Sequence, residues 1–219
     1  VLRVSVSNLD LYKRFCEDEE YPLGVFLSDL RGETIATPAM QRGHAFAVAM
    51  EHARLGETST ISAEGHTFAF TCDAEIEAWP RREEKREKDY GGIIVSARCD
   101  RIMGRTVADD KTTSQFDAEA YMEKFQWRFY LDMFGADVFK WHIWECREIK
   151  ADPEDPDYDR TGTVAWEIYS HHLLTQYRYR EIENDCTKLA QDFKRFAEQI
   201  GWQGRASHSS PDLGAIIHP

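Results

Sequence analysis

The sequence predicts an α/β fold, and three observations predict it. Helix-period and strand-period segments alternate in the order helix, strands, helix, strand, strand, helix. The strand-like segments are short, rich in β-branched and aromatic residues, and bounded by glycine or polar turns. The length of 219 residues suits one domain with a sizeable core. Residues 1–203 read as that single domain and 204–219 as a loosely held C-terminal tail.

Local signals place each element. Ser5, Ser7 and Asn8 precede an apolar-periodic stretch of Leu9, Leu11, Tyr12 and Phe15, which predicts a short capped helix within a lead-in of forty residues. A second helix is expected over 37–55, with Pro38 in its first turn and Gly56 at its C-cap. Residues 59–80, punctuated by Gly65, predict a strand pair. Arg81 to Asp89 are nine consecutive charged residues, which favours a solvated loop or helix turn over a binding patch. Ile93, Ile94 and Val95 open a strand that runs to Met103; Gly104 and Arg105 turn, and Thr106 to Lys111 return as its partner. One helix is expected over 118–134, closed by Gly135. Val138, Phe139, Trp141, Ile143 and Trp144 mark a third strand, and Val164, Trp166, Ile168 and Tyr169 a fourth, with a polar loop over 152–162 between them. The last helix is expected over 179–200, with Leu189, Phe193, Phe196 and Ile200 as its apolar stripe.

Composition excludes several classes. Six Trp, nine Tyr and twelve Phe are too many for an intrinsically disordered chain. The longest apolar run, Ala45 to Met50, has six residues, against the ~20 that a bilayer span needs. No basic and apolar leader opens the chain, so no secretory signal and no membrane partner are expected. A net charge of −12 opposes nucleic-acid binding by bulk charge and requires a local basic surface for it; the same acidity suits carboxylates that hold metal. Cys16, Cys72, Cys99, Cys146 and Cys186 are odd in number and form no C-x-x-C pair, which fits a reducing cytoplasmic setting without zinc knuckle or disulfide framework.

The chemistry concentrates in the hairpin. Asp109 and Lys111, two apart on one strand, project together, while Asp110 points away. Hairpin pairing brings Asp100 towards Asp109. Two hard oxygen ligands with open positions suit Mg²⁺ or Mn²⁺, and a neighbouring lysine can orient or deprotonate a water and offset phosphate charge. Asp-x-Lys alone is commonly a surface ion pair, but charges at the end of a buried strand are costly unless used. Gln126 and Tyr130 share a helical face. His142, His171 and His172 read as structural histidines, Trp141, Trp144 and Trp166 as core, and Cys99 as facing the core.

Asp100, Asp109-x-Lys111 and Gln126-x-x-x-Tyr130, in this order on strand, strand and helix, resemble the PD-(D/E)XK nuclease superfamily, and within it the RecB-like branch of phage-type exonucleases. The resemblance runs from Ser5-x-Ser7-x-Leu9 to the stretch from Leu174 to Tyr179. It implies a restriction-endonuclease-like core, a central mixed β-sheet flanked by helices. It implies a Mg²⁺- or Mn²⁺-dependent DNA exonuclease acting on linear ends in a bacterial or phage-infected cell, in phage-type recombination, with a single-strand annealing protein as possible partner. Asp100 and Asp109 would ligate metal with help from the Asp110 carbonyl. Lys111 would serve the attacking water, and Gln126 and Tyr130 would support the lysine and the nucleic-acid strand. Arg98, Arg101, Arg105, Lys124 and Arg128 would contact DNA.

Two departures from the family pattern stand out. The usual Gly-x-x-x-His or Gly-x-x-x-Glu helix has Gly43 followed by Ala47, which cannot bind metal; either His44 or Glu51 substitutes, Glu51 being the better match to Mg²⁺, or both are surface residues of an ordinary helix. Cys16 falls where one ligand of an iron–sulfur cluster would, but Cys146 and Cys186 are too far apart to complete the set, so no cluster is expected. The alternative reading is a nuclease-fold module with an impaired site that binds DNA ends or a partner without cutting.

Overall fold

A computed structural model describes residues 1–53, 59–73, 81–150 and 163–204. The chain forms a mixed α/β fold with a central sheet flanked by helices. In chain order the elements are β1 (Leu2–Ser5), α1 (Val6–Glu17), α2 (Leu23–Arg31), α3 (Pro38–His52), β2 (Thr60–Ala63), β3 (His66–Phe70), β4 (Arg81–Asp89), β5 (Ile93–Met103), β6 (Thr106–Thr113), α4 (Ala118–Glu123), α5 (Gln126–Phe134), β7 (Val138–Glu148), β8 (Val164–Tyr177) and α6 (Ile182–Gln199). Eight strands form one sheet in the order β1-β5-β6-β7-β8-β3-β2, with β4 also paired to β5. The β1–β5, β6–β7 and β3–β8 pairs are parallel and the others antiparallel.

Strand alternation separates two cores. On one face Phe139, Trp141 and Ile143 pack with α1, α2, α5 and α6, around Leu9, Phe26, Phe129 and Phe193. On the other, Trp144 and Cys146 pack with Phe46 of α3, Ile61 of β2, Phe68 of β3 and Trp166 of β8. Ser5 caps α1, its Oγ accepting from the Asn8 amide at 3.2 Å. Thr37 caps α3 in the same way, ahead of Pro38. Gly135 closes α5 at φ 61°, a left-handed conformation that favours glycine. Among the described residues, no helix is long and apolar enough to cross a membrane.

The structure corrects four expectations. The charged run 81–89 is a strand, not a loop or helix turn. Its pairing with Ile94 to Ile102 overlaps the stretches of β5 that pair with β1 and with β6. A strand has two edges, so β4 holds one edge of β5 while β1 and β6 share the other. An outer strand of this kind tolerates charge on both faces, and charge there discourages pairing with another chain. The single helix expected over 118–134 is two helices broken at Lys124 and Phe125. The break is held by Asp10 of α1, whose carboxylate accepts from the Phe125 amide at 2.6 Å. The last helix begins at Ile182, and its buried stripe is Ile182, Cys186, Ala190, Phe193 and Ala197, with Ile200 exposed. The lead-in contains β1 and α2, neither of which was expected. The expected C-cap at Gly56, the loop 152–162 and the tail beyond residue 204 lie outside the described residues.

Candidate active site

The β5–β6 ladder pairs Met103 with Thr106, Ile102 with Val107 and Arg101 with Ala108, and β1 then pairs with Ile93 to Ser96. Just past the last ladder pair, the Asp110 amide donates to Asp100 Oδ2 at 2.9 Å. The two carboxylates of interest, Asp100 and Asp109, therefore stand where the two strands separate.

Asp109 is buried, and its contacts are specific. Gln126 Nε2 of α5 donates to Asp109 Oδ1 at 2.9 Å. Asp109 Oδ2 is ion-paired with the Lys111 ammonium, whose side chain is 34% exposed, and accepts no other hydrogen bond among the described residues. Tyr130, one turn beyond Gln126, donates from its hydroxyl to the Arg98 carbonyl at 2.6 Å. An open cleft of about 650 Å³ is lined by Asp100, Asp109, Lys111, Gln126 and Tyr130 together with Arg98.

The electrostatics follow from this crowding. Burial, and then the charge of Asp109, push the Asp100 carboxyl well above the usual carboxylate range. Burial alone would lower Lys111; the charges of Asp109 and Asp100 outweigh it and hold the ammonium form above its ordinary range. Burial and the same two carboxylates also raise Tyr130. Two carboxylates thus share one ammonium at the fork, and their proximity favours a proton on Asp100 until a cation offsets the charge.

A second, small cavity of about 20 Å³ lies between α3 and the hairpin, lined by Ala47, Glu51, Glu83, Asp100 and Asp110. Ala47 and Glu51 thus face Asp100 and Asp110 rather than Asp109, while His44 is exposed and does not line the cavity. Glu83 was not anticipated from the sequence. It lies between the Arg82–Arg101 and Glu84–Cys99 pairs, hence opposite Asp100, and is ion-paired with Arg98 at 2.9 Å. Burial raises its carboxyl, Arg98 opposes that, and Glu51 and Asp109 add to it. Alternation along 81–89 would have signalled Glu83 had that run been read as a strand.

Asp110 turns to the opposite face, as alternation requires. Its carboxylate accepts from Arg101 Nε at 2.6 Å and Trp144 Nε1 at 2.8 Å. Burial acts to raise it, but the Arg101 charge prevails and holds the carboxyl below the usual range. Arg101 is therefore a buried ion-pair partner rather than a surface contact for DNA, which corrects that expectation. Arg105 lies at the hairpin turn, paired with Asp137. Arg128 stacks on Trp127 and Phe125, with Nε donating to the Tyr179 hydroxyl, and lines a different cleft. The fold brings Arg98 to the candidate site, and Lys124 stands over the Trp141 ring that Lys111 also faces. His142 is buried and contacts His171 at 3.1 Å, and His172 contacts Glu145 at 2.8 Å. Trp141, Trp144 and Cys99 are fully buried.

The donor set suits a hard cation in chemistry and number. Among the described residues no three Asp, Glu, His or Cys side chains converge tightly enough to hold an ion by themselves. Mg²⁺ characteristically takes one or two carboxylates and completes its shell with water and phosphate oxygens. Asp100 and Asp109, two hard oxygen donors side by side at the edge of an open cleft, fit that pattern.

No family model and no curated protein matches the chain. Among solved structures, SSO0001 is similar over 90% of this chain and 77% of its own, at 14% identity and a TM-score of 0.49. An alkaline exonuclease from Laribacter hongkongensis is similar over 91% of both chains, at 14% identity and a TM-score of 0.40. The same exonuclease in complex with dAMP is similar over 90% of this chain and 93% of its own, at 12% identity and a TM-score of 0.34. Likenesses of this degree transfer no residue role to the present chain.

Proposed function

We propose that this chain is a Mg²⁺- or Mn²⁺-dependent deoxyribonuclease, an exonuclease acting on linear DNA. The observation that carries the reading is the convergence of Asp100, Asp109, Lys111, Gln126 and Tyr130, from two strands and a helix, on one open cleft. Asp100 and Asp109 would hold the cation. When bound, such an ion supplies Lewis-acid stabilisation of a phosphate and lowers the pKa of a coordinated water.

The chain's own groups divide the remaining work. Gln126 fixes the rotamer of Asp109 through its amide. Lys111, held in the ammonium form by Asp109 and Asp100, donates to a phosphate oxygen or holds the attacking water; it becomes a base only if the charge of Asp109 is taken up elsewhere. Tyr130, bonded to the Arg98 carbonyl, keeps the β5 backbone against α5. Arg98 and Lys124 supply the local positive charge that the overall charge of −12 withholds.

One observation favours a second reading, a nuclease-fold module that binds DNA ends without cutting. Ala47 lines the small cavity beside Asp100, at the helix position where the resembled family carries a ligand. End-labelled linear duplex and closed circular DNA, incubated with Mg²⁺, Mn²⁺ or EDTA, decide between them. Metal-dependent loss of linear DNA alone supports the exonuclease. Loss of both substrates makes it an endonuclease, and binding without loss supports the second reading.

A further inference from the structure

Two cations near the candidate site have no carboxylate partner within ion-pair distance among the described residues. Arg42 on α3 is 8% exposed. Its guanidinium lies over the Trp166 ring, 5.0 Å from the centroid, and Nε makes one long hydrogen bond, 3.4 Å, to Thr112 Oγ1. Lys124, between α4 and α5, holds its ammonium 4.6 Å from the Tyr121 centroid and 5.6 Å from that of Trp141. Ring faces attract cations but replace only part of their hydration. A partly buried charge without a counter-ion is unfavourable, and such groups concentrate where an anion is to be bound.

Their placement is specific. Trp166 and Trp141 belong to the two opposite cores, so Arg42 and Lys124 approach β6 from opposite faces of the sheet. Both meet it beside Lys111. Thr112, the partner of Arg42, is the next residue, and the Lys111 ammonium lies 5.8 Å from the Trp141 ring that Lys124 also faces. Tyr121, partly buried against Trp141, feels the charges of both Lys111 and Arg42. Burial, and then Lys111, depress the Lys124 ammonium, outweighing the opposing charges of Asp10 and Asp109, neither of which comes within ion-pair distance. Beyond the Nε contact with Thr112, the Arg42 guanidinium donates to no acceptor among the described residues.

We propose that Arg42 and Lys124 form a metal-independent phosphate subsite straddling the end of β6, which takes backbone phosphates of a nucleic-acid strand on either side of Lys111. The proposal rests on the nuclease reading for the identity of the strand, and it deepens that reading by giving the strand a path across the sheet end.

The test is binding without chemistry. A short fluorescein-labelled single strand is titrated in EDTA over a range of salt, with the parent chain, Arg42→Gln, Lys124→Gln, Arg42→Lys and, as a control, exposed Arg31→Gln on α2. Loss of one phosphate contact should lower the slope of log affinity against log salt by about 1. Arg42→Gln and Lys124→Gln should each show this loss, while Arg42→Lys and Arg31→Gln keep the parent slope. Absence of binding by the parent, unchanged slopes in both glutamine variants, or an equal loss in the Arg31 control would overturn the subsite. Should Arg42→Gln fail to fold by circular dichroism, Lys124→Gln and Arg42→Lys decide: a kept slope in the first, or a lost slope in a folded second, refutes it. The nuclease reading fails separately. A parent that binds through these contacts but never cuts with Mn²⁺ loses the activity and keeps the subsite, and a parent that cuts with a slope indifferent to both residues does the reverse.

Discussion

The Asp110 amide donates to the Asp100 carboxylate at 2.9 Å, just past the last paired residues of the β5–β6 hairpin. A side chain of one strand thus takes up a backbone donor of the other where the ladder ends. That bond holds Asp100 beside Asp109 against their mutual repulsion. It also explains how a hairpin, whose role is usually architectural, can present two carboxylates and a lysine to one cleft.

Asp109→Asn should abolish metal-dependent loss of linear DNA while leaving the fold intact. The amide still accepts from Gln126, so the α5 contact survives, but a charged oxygen ligand is gone. Calorimetric titration of Mn²⁺ should show weaker binding, and circular dichroism an unchanged spectrum. Cleavage at the parent rate would remove Asp109 from the site.

Lys111→Met should bind Mn²⁺ at least as tightly as the parent, because the cation that competes for Asp109 is removed. Cleavage should fall by ~10²–10⁴-fold, the usual contribution of a positioned proton-handling group. Weaker metal binding with a parental rate at saturating Mn²⁺ would contradict the role assigned to the lysine.

Ala47→Asp should tighten Mn²⁺ binding by about tenfold, or ~1.4 kcal/mol, by adding a carboxylate to the cavity shared with Asp100 and Glu83. The cavity is only about 20 Å³, room for about one water, so aspartate fits where glutamate or histidine would overpack. Unchanged affinity in a folded variant would mean that α3 does not contribute to the metal site.

Asp10 gives a pH signature independent of metal. Burial raises its carboxyl from 3.8 to about 6, against the opposing hydrogen bond from the Phe125 amide. The folded chain therefore holds this proton more tightly than the unfolded chain, and stability from this group is present at low pH and lost as pH rises from about 4 to about 6. Asp10→Asn keeps an acceptor for Phe125 and removes the titration. Its melting temperature relative to the parent should rise across that window and level off above it. A difference independent of pH would refute the buried, titrating Asp10.

The alternation of the hairpin was legible because side-chain direction on a strand is a local property. Asp109 and Lys111 share a face and Asp110 the other by period alone. The caps at Ser5 and Thr37 were legible for the same reason, since a hydroxyl and an amide three residues on need no distant partner. Strand β4 was not, because charge along 81–89 reads as solvation until its place at the outer edge of β5 is known.

By itself the sequence determined the α/β order and the β5–β6 hairpin, and it singled out Asp100, Asp109, Lys111, Gln126 and Tyr130, which the fold gathers at one cleft. Only the tertiary structure decided which helix faces which carboxylate, that Glu83 stands opposite Asp100, that Arg101 is spent on Asp110, and that Arg42 and Lys124 meet β6 from opposite faces. It also decided the break between α4 and α5, set by an aspartate 115 residues away in the chain. The physical reason is common to all of these. Period, capping and turn chemistry act over a few residues, whereas burial, charge pairing and sheet order depend on groups that only folding brings within reach.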